Sequence, residues 1–343
     1  MSRIVLDLND RRPIWTVPSW AVQEIEAALP EGWELYVAAG EADGSGDGSG
    51  EASPEIVEAV KGATVYVGLG IPADVLEAGG GSLRWVHTGA AGVGGSLTPE
   101  LRESGVHFTN SAGIHGPPMA ETVTGMILHF ARGLDLALQG QREGRWRHEP
   151  FLAADTPVRE VAGSTVGILG LGGIGTEVAE RLAALGAKVL GWKRNPAPAP
   201  PYVSELLTGE EGRERILTAS DVVVVTVPET RETRGLLDGA ALRRMKEGAL
   251  LVNVSRGGLV DTSALVELLR SGHLRGAALD VTDPEPLPDG HPLWELPNVL
   301  ITPHVSAVSR GFWRRQTDLI VENLQRFVAG SPLRNAVDLE AGY

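Results

Sequence analysis

The chain has 343 residues, 43% hydrophobic and 22% charged, with 44 acidic against 30 basic residues and a formal net charge of −14. That length favours two domains, and the composition suits globular folding and excludes general disorder. The acidic surplus argues against a nucleic-acid or anionic-membrane surface, and the absence of cysteine excludes disulfides, thiolate metal sites and thiol nucleophiles.

The opening MSRIVLDLND turns to charge too soon for a signal-peptide core, and no later apolar run reaches membrane-spanning length. The expectation is a cytoplasmic protein with no membrane partner, no nucleic-acid partner and no metal. Short apolar runs at 4–6, 35–37, 64–67, 83–86 and 106–108 read as strands, and amphipathic stretches at 20–29 and 54–60 read as helices between them. This alternation predicts a mostly parallel sheet. The Gly, Ser and Asp-rich segment 41–53 reads as a surface loop, since its spacing fits no calcium motif. Gly68-Leu-Gly70-Ile-Pro-Ala73 imitates a nucleotide fingerprint, but Pro72 restricts the turn and no acid ends the next strand.

A long helix is expected over 121–131, then a second alternating series with strands at 165–169, 188–191, 221–227, 249–254, 276–281 and 299–302. Six strands with intervening helices make one doubly wound sheet. The pattern over 312–327 is helical and is expected to return to the first domain. The fold class is therefore α/β, with two Rossmann-like or flavodoxin-like domains, each a mostly parallel sheet with helices on both faces. The expected division is 1–112 plus 308–343 as substrate domain and 113–307 as dinucleotide-binding domain.

Gly170-Leu-Gly172-Gly173-Ile174-Gly175 follows the strand TVGIL and opens a helix with apolar residues at Ile174, Val178, Leu182 and Leu185. Glycines there permit a tight turn and close backbone approach, while the helix start aims N–H groups at a pyrophosphate. Roughly 20 residues on, where a strand-ending acid ordinarily binds the ribose hydroxyls, the chain has Lys193 and Arg194. Two cations suit a 2′-phosphate, so NADPH is the expected cofactor and NADH the alternative. The competing reading is a solvated basic turn before a proline-rich run.

Three later segments place polar residues at strand ends: LLVNVSRGGLVD with Arg256, GAALDVTDPEPLP with Asp280 and Glu285, and VLITPHVSAVS with His304. Singly these residues would read as an ion-pairing arginine, a surface acid and a loop histidine. Together, in this order, and with HPLWELPNV and PPMAETVTGMIL, they closely resemble the D-isomer-specific 2-hydroxyacid dehydrogenases over nearly the whole chain. The resemblance implies a catalytic trio of Arg256, Glu285 and His304. His304 would be the proton donor in 2-keto acid reduction, Glu285 would hold its cationic form, and Arg256 would bind the substrate carboxylate and polarise the keto oxygen. It implies further cofactor contacts from Val227, Pro228, Val254, Ser255 and Asp280, the last with the nicotinamide carboxamide, besides Arg256 and His304.

The stretch WVHTGAAGVGG looks like the family's substrate loop, with Ala91, Gly92 and Val93 as the positional matches; plain turn chemistry is the other reading. Gly94 stands where many relatives carry an acid. QREGRWRHEP, with Trp146, resembles the dimer arm and implies a homodimer. The leading expectation is an NADPH-preferring reductase of a small 2-keto acid such as glyoxylate or hydroxypyruvate. A formate or phosphite dehydrogenase on the same fold, and a nucleotide-sensing corepressor or scaffold, are the alternatives.

Overall fold

Val222, Val223, Val224 and Val225 are all buried, and their side chains alternate between two separate apolar clusters. A strand covered on both faces needs such a run, because successive side chains point to opposite sides. Ile4 and Leu6 share one cluster while Val5 belongs to another, which repeats the arrangement in the other sheet.

The computed structural model describes residues 2–42, 50–340 and 342; residues 43–49 of the expected surface loop lie outside this set. The chain divides into two units, Met1–His115 with Val308–Tyr343, and Gly116–Ala307.

In the first unit the strands are β1 (Ser2–Asp7), β2 (Trp33–Val37), β3 (Val65–Gly68), β4 (Trp85–Thr88) and β5 (His107–Thr109). They form a parallel sheet in the order β2-β1-β3-β4-β5, a flavodoxin-like arrangement. Helices Ser19–Ala27 and Phe312–Val328 cover one face through Ile25, Leu319, Ile320 and Leu324. The other face is covered by Pro54–Ala59, Ala73–Gly79 and Pro99–Ser104 through Ile56, Val75 and Leu101.

The second unit contains β6 (Thr165–Leu169), β7 (Lys188–Trp192), β8 (Glu205–Leu207), β9 (Val222–Val225), β10 (Ala249–Asn253), β11 (Leu274–Leu279) and β12 (Val299–Ile301). Their order is β12-β11-β10-β9-β6-β7-β8, again parallel throughout. The expected α/β class, two parallel sheets with helices around them, is therefore the observed one. The sheet has seven strands, however, where the sequence predicts six. The additional strand, β8, is a three-residue edge strand reached from β7 by a proline-rich connection with no helix, so the strand–helix alternation gave no sign of it. Among the described residues no helix is long and apolar enough to cross a membrane.

Candidate active site

Between β6 and the helix Gly173–Ala184 the three fingerprint glycines meet different constraints. Gly170 has φ +107, and a Cβ on it would fall 2.6 Å from the Val227 nitrogen. A Cβ on Gly175 would fall 2.1 Å from the Gly170 carbonyl oxygen, so helix and turn touch backbone to backbone. At Gly172 a Cβ would meet nothing within 4 Å. Packing thus explains the first and last glycines, whereas the middle one leaves bare backbone facing open space. The helix start has no side-chain cap and no acid in its first turn, which suits a phosphate there. Thr226 supports the turn by donating to the Gly170 carbonyl at 2.7 Å.

The glycine turn is tied directly to the end of β7. Gly170 and Leu171 both donate to the Trp192 carbonyl, at 2.9 and 3.1 Å, and Trp192 Nε1 donates to the Gly209 carbonyl. Lys193, the next residue, is half-buried and donates its N–H to the Leu207 carbonyl of β8, while Arg194 is exposed. The Glu232 carboxyl is held below its ordinary range, chiefly by the Thr230 hydrogen bond and further by the Arg194 and Arg231 cations. Arg231, on the loop after β9, is therefore a third cation near this strand end. The sequence reading missed it, because its approach to Arg194 comes from a different loop, just beyond Val227 and Pro228.

After β10, buried Asn253 shapes the turn that carries Arg256. Its side chain donates to the Arg256 carbonyl at 2.9 Å and accepts from the Ser255 N–H at 3.1 Å. Ser255 Oγ donates to the Val227 carbonyl, and the Val254 N–H donates to the Val225 carbonyl. Arg256 is exposed and uses one guanidinium nitrogen on the Ser255 carbonyl at 2.7 Å. A Cβ on Gly257 would lie 2.0 Å from the Thr282 carbonyl, so this turn is pressed against the loop that leads to Glu285.

That loop and the one after β12 bring Glu285 and His304 together. Glu285 Oε1 and His304 Nδ1 are 2.7 Å apart, both partly exposed. With Nδ1 donating to the carboxylate, Nε2 is the nitrogen left to exchange a proton. His304 has φ +54, a left-handed conformation that a non-glycine residue rarely adopts. Asp280, buried at the end of β11, holds it there. The Asp280 carbonyl accepts the His304 N–H at 2.8 Å. Its carboxylate accepts from Thr302 Oγ1 at 2.5 Å, the Val305 N–H at 2.9 Å and the Ser306 N–H at 3.0 Å. Asp280 thus grips the histidine loop on both sides of His304, a contact absent from the sequence reading.

The structure gathers Arg256, Asp280, Glu285 and His304 at the carboxyl edge of one sheet, with the glycine turn at the carboxyl end of β6. In such sheets this is where ligands bind. Ala91, Gly92 and Val93 belong to the other unit, on the loop following the carboxyl end of β4. Asn110 holds that loop by donating to the Ala91 carbonyl at 2.9 Å, and Ser111 does so by donating to the Ala90 carbonyl at 3.0 Å. The N–H groups of Ala91, Gly92 and Val93 take no part in these bonds. Among the described residues no group of acids and histidines could hold a metal ion.

Residues 124–306 match the family described as D-isomer specific 2-hydroxyacid dehydrogenase, NAD binding domain. A glycerate dehydrogenase from Methylorubrum extorquens is 34% identical over 289 residues, covering 83% of this chain and 88% of that protein. A D-isomer specific 2-hydroxyacid dehydrogenase from Xanthobacter autotrophicus, solved with NADPH and MES, is 33% identical. It aligns with a TM-score of 0.79 over 100% of this chain and 99% of its own. An NADPH-dependent glyoxylate/hydroxypyruvate reductase from Sinorhizobium meliloti, solved with NADP and sulfate, is 30% identical with a TM-score of 0.75 over 100% of both chains.

Proposed function

The chain belongs to the D-isomer specific 2-hydroxyacid dehydrogenases, NAD(P)-dependent oxidoreductases, and within that family we propose that it is an NADPH-preferring cytoplasmic reductase of small 2-keto acids such as glyoxylate or hydroxypyruvate. The observation that carries this reading is the 2.7 Å pair of His304 and Glu285, because keto-acid reduction needs an oriented imidazolium. The glycine turn would hold the dinucleotide's pyrophosphate, and the reduced nicotinamide would supply the hydride. His304, its Nδ1 held by Glu285, gives its Nε2 proton to the keto oxygen as C2 is reduced. Arg256, with donors beyond the one spent on Ser255, holds the carboxylate and polarises the carbonyl. Ala91, Gly92 and Val93 form the substrate-binding loop of the first unit, with backbone N–H groups that donate to no partner among the described residues. Val227, Pro228, Val254 and Ser255 line the cofactor, and Asp280 both faces the carboxamide and fixes the histidine loop.

Lys193 and Arg194 replace the ribose-binding acid and take the 2′-phosphate, with Arg231 contributing to the local field. The working form is a homodimer. Trp146 is 95% exposed, and Leu134 and Leu138, four residues apart on the helix Leu134–Arg142, are exposed as well. Apolar side chains left in water on one element suit a self-complementary face.

A substrate panel tests the reading. Glyoxylate and hydroxypyruvate should each drive NADPH oxidation. Reduction of NADP by formate or phosphite without keto-acid turnover would replace the reading with the corresponding dehydrogenase. Inertness toward all four would favour a binding protein.

A further inference from the structure

All strands of the first unit's sheet run parallel, so their amino-terminal ends share one edge, opposite the edge that carries the Ala91 loop. At that amino-terminal edge lies a groove of about 770 Å3, lined by none of the residues assigned to the reaction. Trp33 opens β2, Arg84 immediately precedes β4 and His107 opens β5, and each contributes to it. The opposite wall is Phe327, at the end of the helix Phe312–Val328, and the chain beyond it through Leu333 and Val337. That wall is attached to the sheet: the Val337 N–H donates to the Phe108 carbonyl at 2.9 Å, and Ala336 bridges Thr109.

The lining combines apolar side chains with the polar residues Thr64, His107 and Ser331, and Arg84 is its one arginine. Trp33 and Phe327 meet edge to face, with ring centroids 6.4 Å apart, and both stay half-exposed toward the groove. Arg84 has a fixed backbone: its N–H donates to the Thr64 carbonyl at 2.9 Å, and its carbonyl accepts the His107 N–H at 3.0 Å. Its guanidinium is exposed and makes no hydrogen bond or ion pair among the described residues. A volume of this size is typical of small-molecule sites, which combine an apolar lining with a few placed polar groups.

We propose that this groove binds an amphipathic monocarboxylate. Its aryl or alkyl tail lies among Trp33, Phe327, Leu333 and Val337, and its carboxylate rests on Arg84. A neutral apolar ligand would leave the guanidinium unused, and an ammonium would be repelled by it. The geometry of Arg84 favours a carboxylate in particular, because the planar fork can donate two parallel bonds to its two oxygens.

The probe is 4-phenylbutyrate, titrated calorimetrically into the full chain in saturating NADPH, with 4-phenylbutan-1-ol as the uncharged control. Saturable binding of the acid, one per chain, is expected. Arg84→Gln should weaken it about tenfold, the low end for a charge-assisted contact at an exposed position, while leaving the alcohol unaffected. Ala336→Glu, which adds a like charge at an exposed position on the groove wall, should abolish binding of the acid. Arg256→Gln should leave it unchanged. The proposal is overturned if the wild type takes up no 4-phenylbutyrate. It is overturned equally if Arg84→Gln binds as the wild type does, or if only Arg256→Gln loses binding, which would put the carboxylate in the substrate site. None of these readouts depends on the keto-acid reaction, so failure here and failure of the proposed activity are distinguishable.

Discussion

His304 Nδ1 and Glu285 Oε1 stand 2.7 Å apart on two loops that leave neighbouring strands, β12 and β11. The pair fixes both the direction of the imidazole and which of its nitrogens is free. His304→Ala should lower kcat for keto-acid reduction by ~10²–10⁴-fold, the usual contribution of a positioned acid, with NADPH affinity nearly unchanged. Glu285→Gln keeps a hydrogen-bond partner but removes its charge, so it should lose less than His304→Ala. Steady-state kinetics beside a cofactor titration would decide. Wild-type turnover in His304→Ala would remove this residue from the reaction.

Asp280 is expected to act through the histidine loop as well as on the cofactor. Thr302→Val removes one of the bonds gripping that loop without touching the carboxylate. It should lower kcat several-fold while leaving the KM for NADPH unchanged. If Asp280 served the carboxamide alone, Thr302→Val would be silent and only Asp280→Asn would matter. The split between kcat and KM in the two variants separates these outcomes.

Gly257→Ala should be among the most damaging small substitutions in the second unit. The added carbon would lie 2.0 Å from the Thr282 carbonyl, and backbone cannot rotate away as a side chain can. The Arg256 turn must then move relative to the Glu285 loop. The expected result is loss of most activity together with a loss of stability on the order of 1–3 kcal/mol for overpacking, read as a lower melting temperature. Unchanged melting and kinetics would contradict the close approach.

Acid should weaken the first unit as pH falls below about 6.5. His87 is fully buried among Thr109, Ser111 and Gln316, and burial pushes its imidazole down to about 3. His115 is pushed down to about 4, first by burial and then by the Arg315 cation. Both are neutral when folded and titrate near ~6.5 when unfolded, so between those values the unfolded chain binds more protons and stability falls as pH falls. The contribution is fully present above about pH 6.5 and is lost progressively as pH falls, toward about pH 4 for His115 and about pH 3 for His87. Urea midpoints measured from pH 7.5 to 4 should decline through this window. A midpoint flat between 6.5 and 4.5 would show that these imidazoles accept protons without cost.

Much of the site is legible in the sequence because its parts are local. The glycine turn, the SRGG segment and the TPH segment each carry their chemistry within a few residues, and the strand before each fixes its position on the sheet. What escaped the sequence reading depends on contacts between distant segments. Arg231 reaches the neighbourhood of Arg194 from a different loop, and nothing in the spacing of the two residues signals that meeting. The grip of Asp280 on residues 302–306 joins β11 to a loop more than twenty positions later. β8 was missed for another reason: three residues after a run of prolines carry no periodicity to detect.

The central claim is tested most directly by kcat/KM for NADPH and NADH with glyoxylate, in the wild type and in the double variant Lys193→Asp, Arg194→Ala. The wild type should favour NADPH by roughly tenfold or more, the scale of one well-formed charge-assisted contact, and the double variant should lose most of that preference through its NADPH term. Equal use of the two cofactors by the wild type, unchanged by the substitutions, would contradict the assignment of the two cations. Absence of glyoxylate-dependent oxidation of either cofactor would contradict the reductase itself.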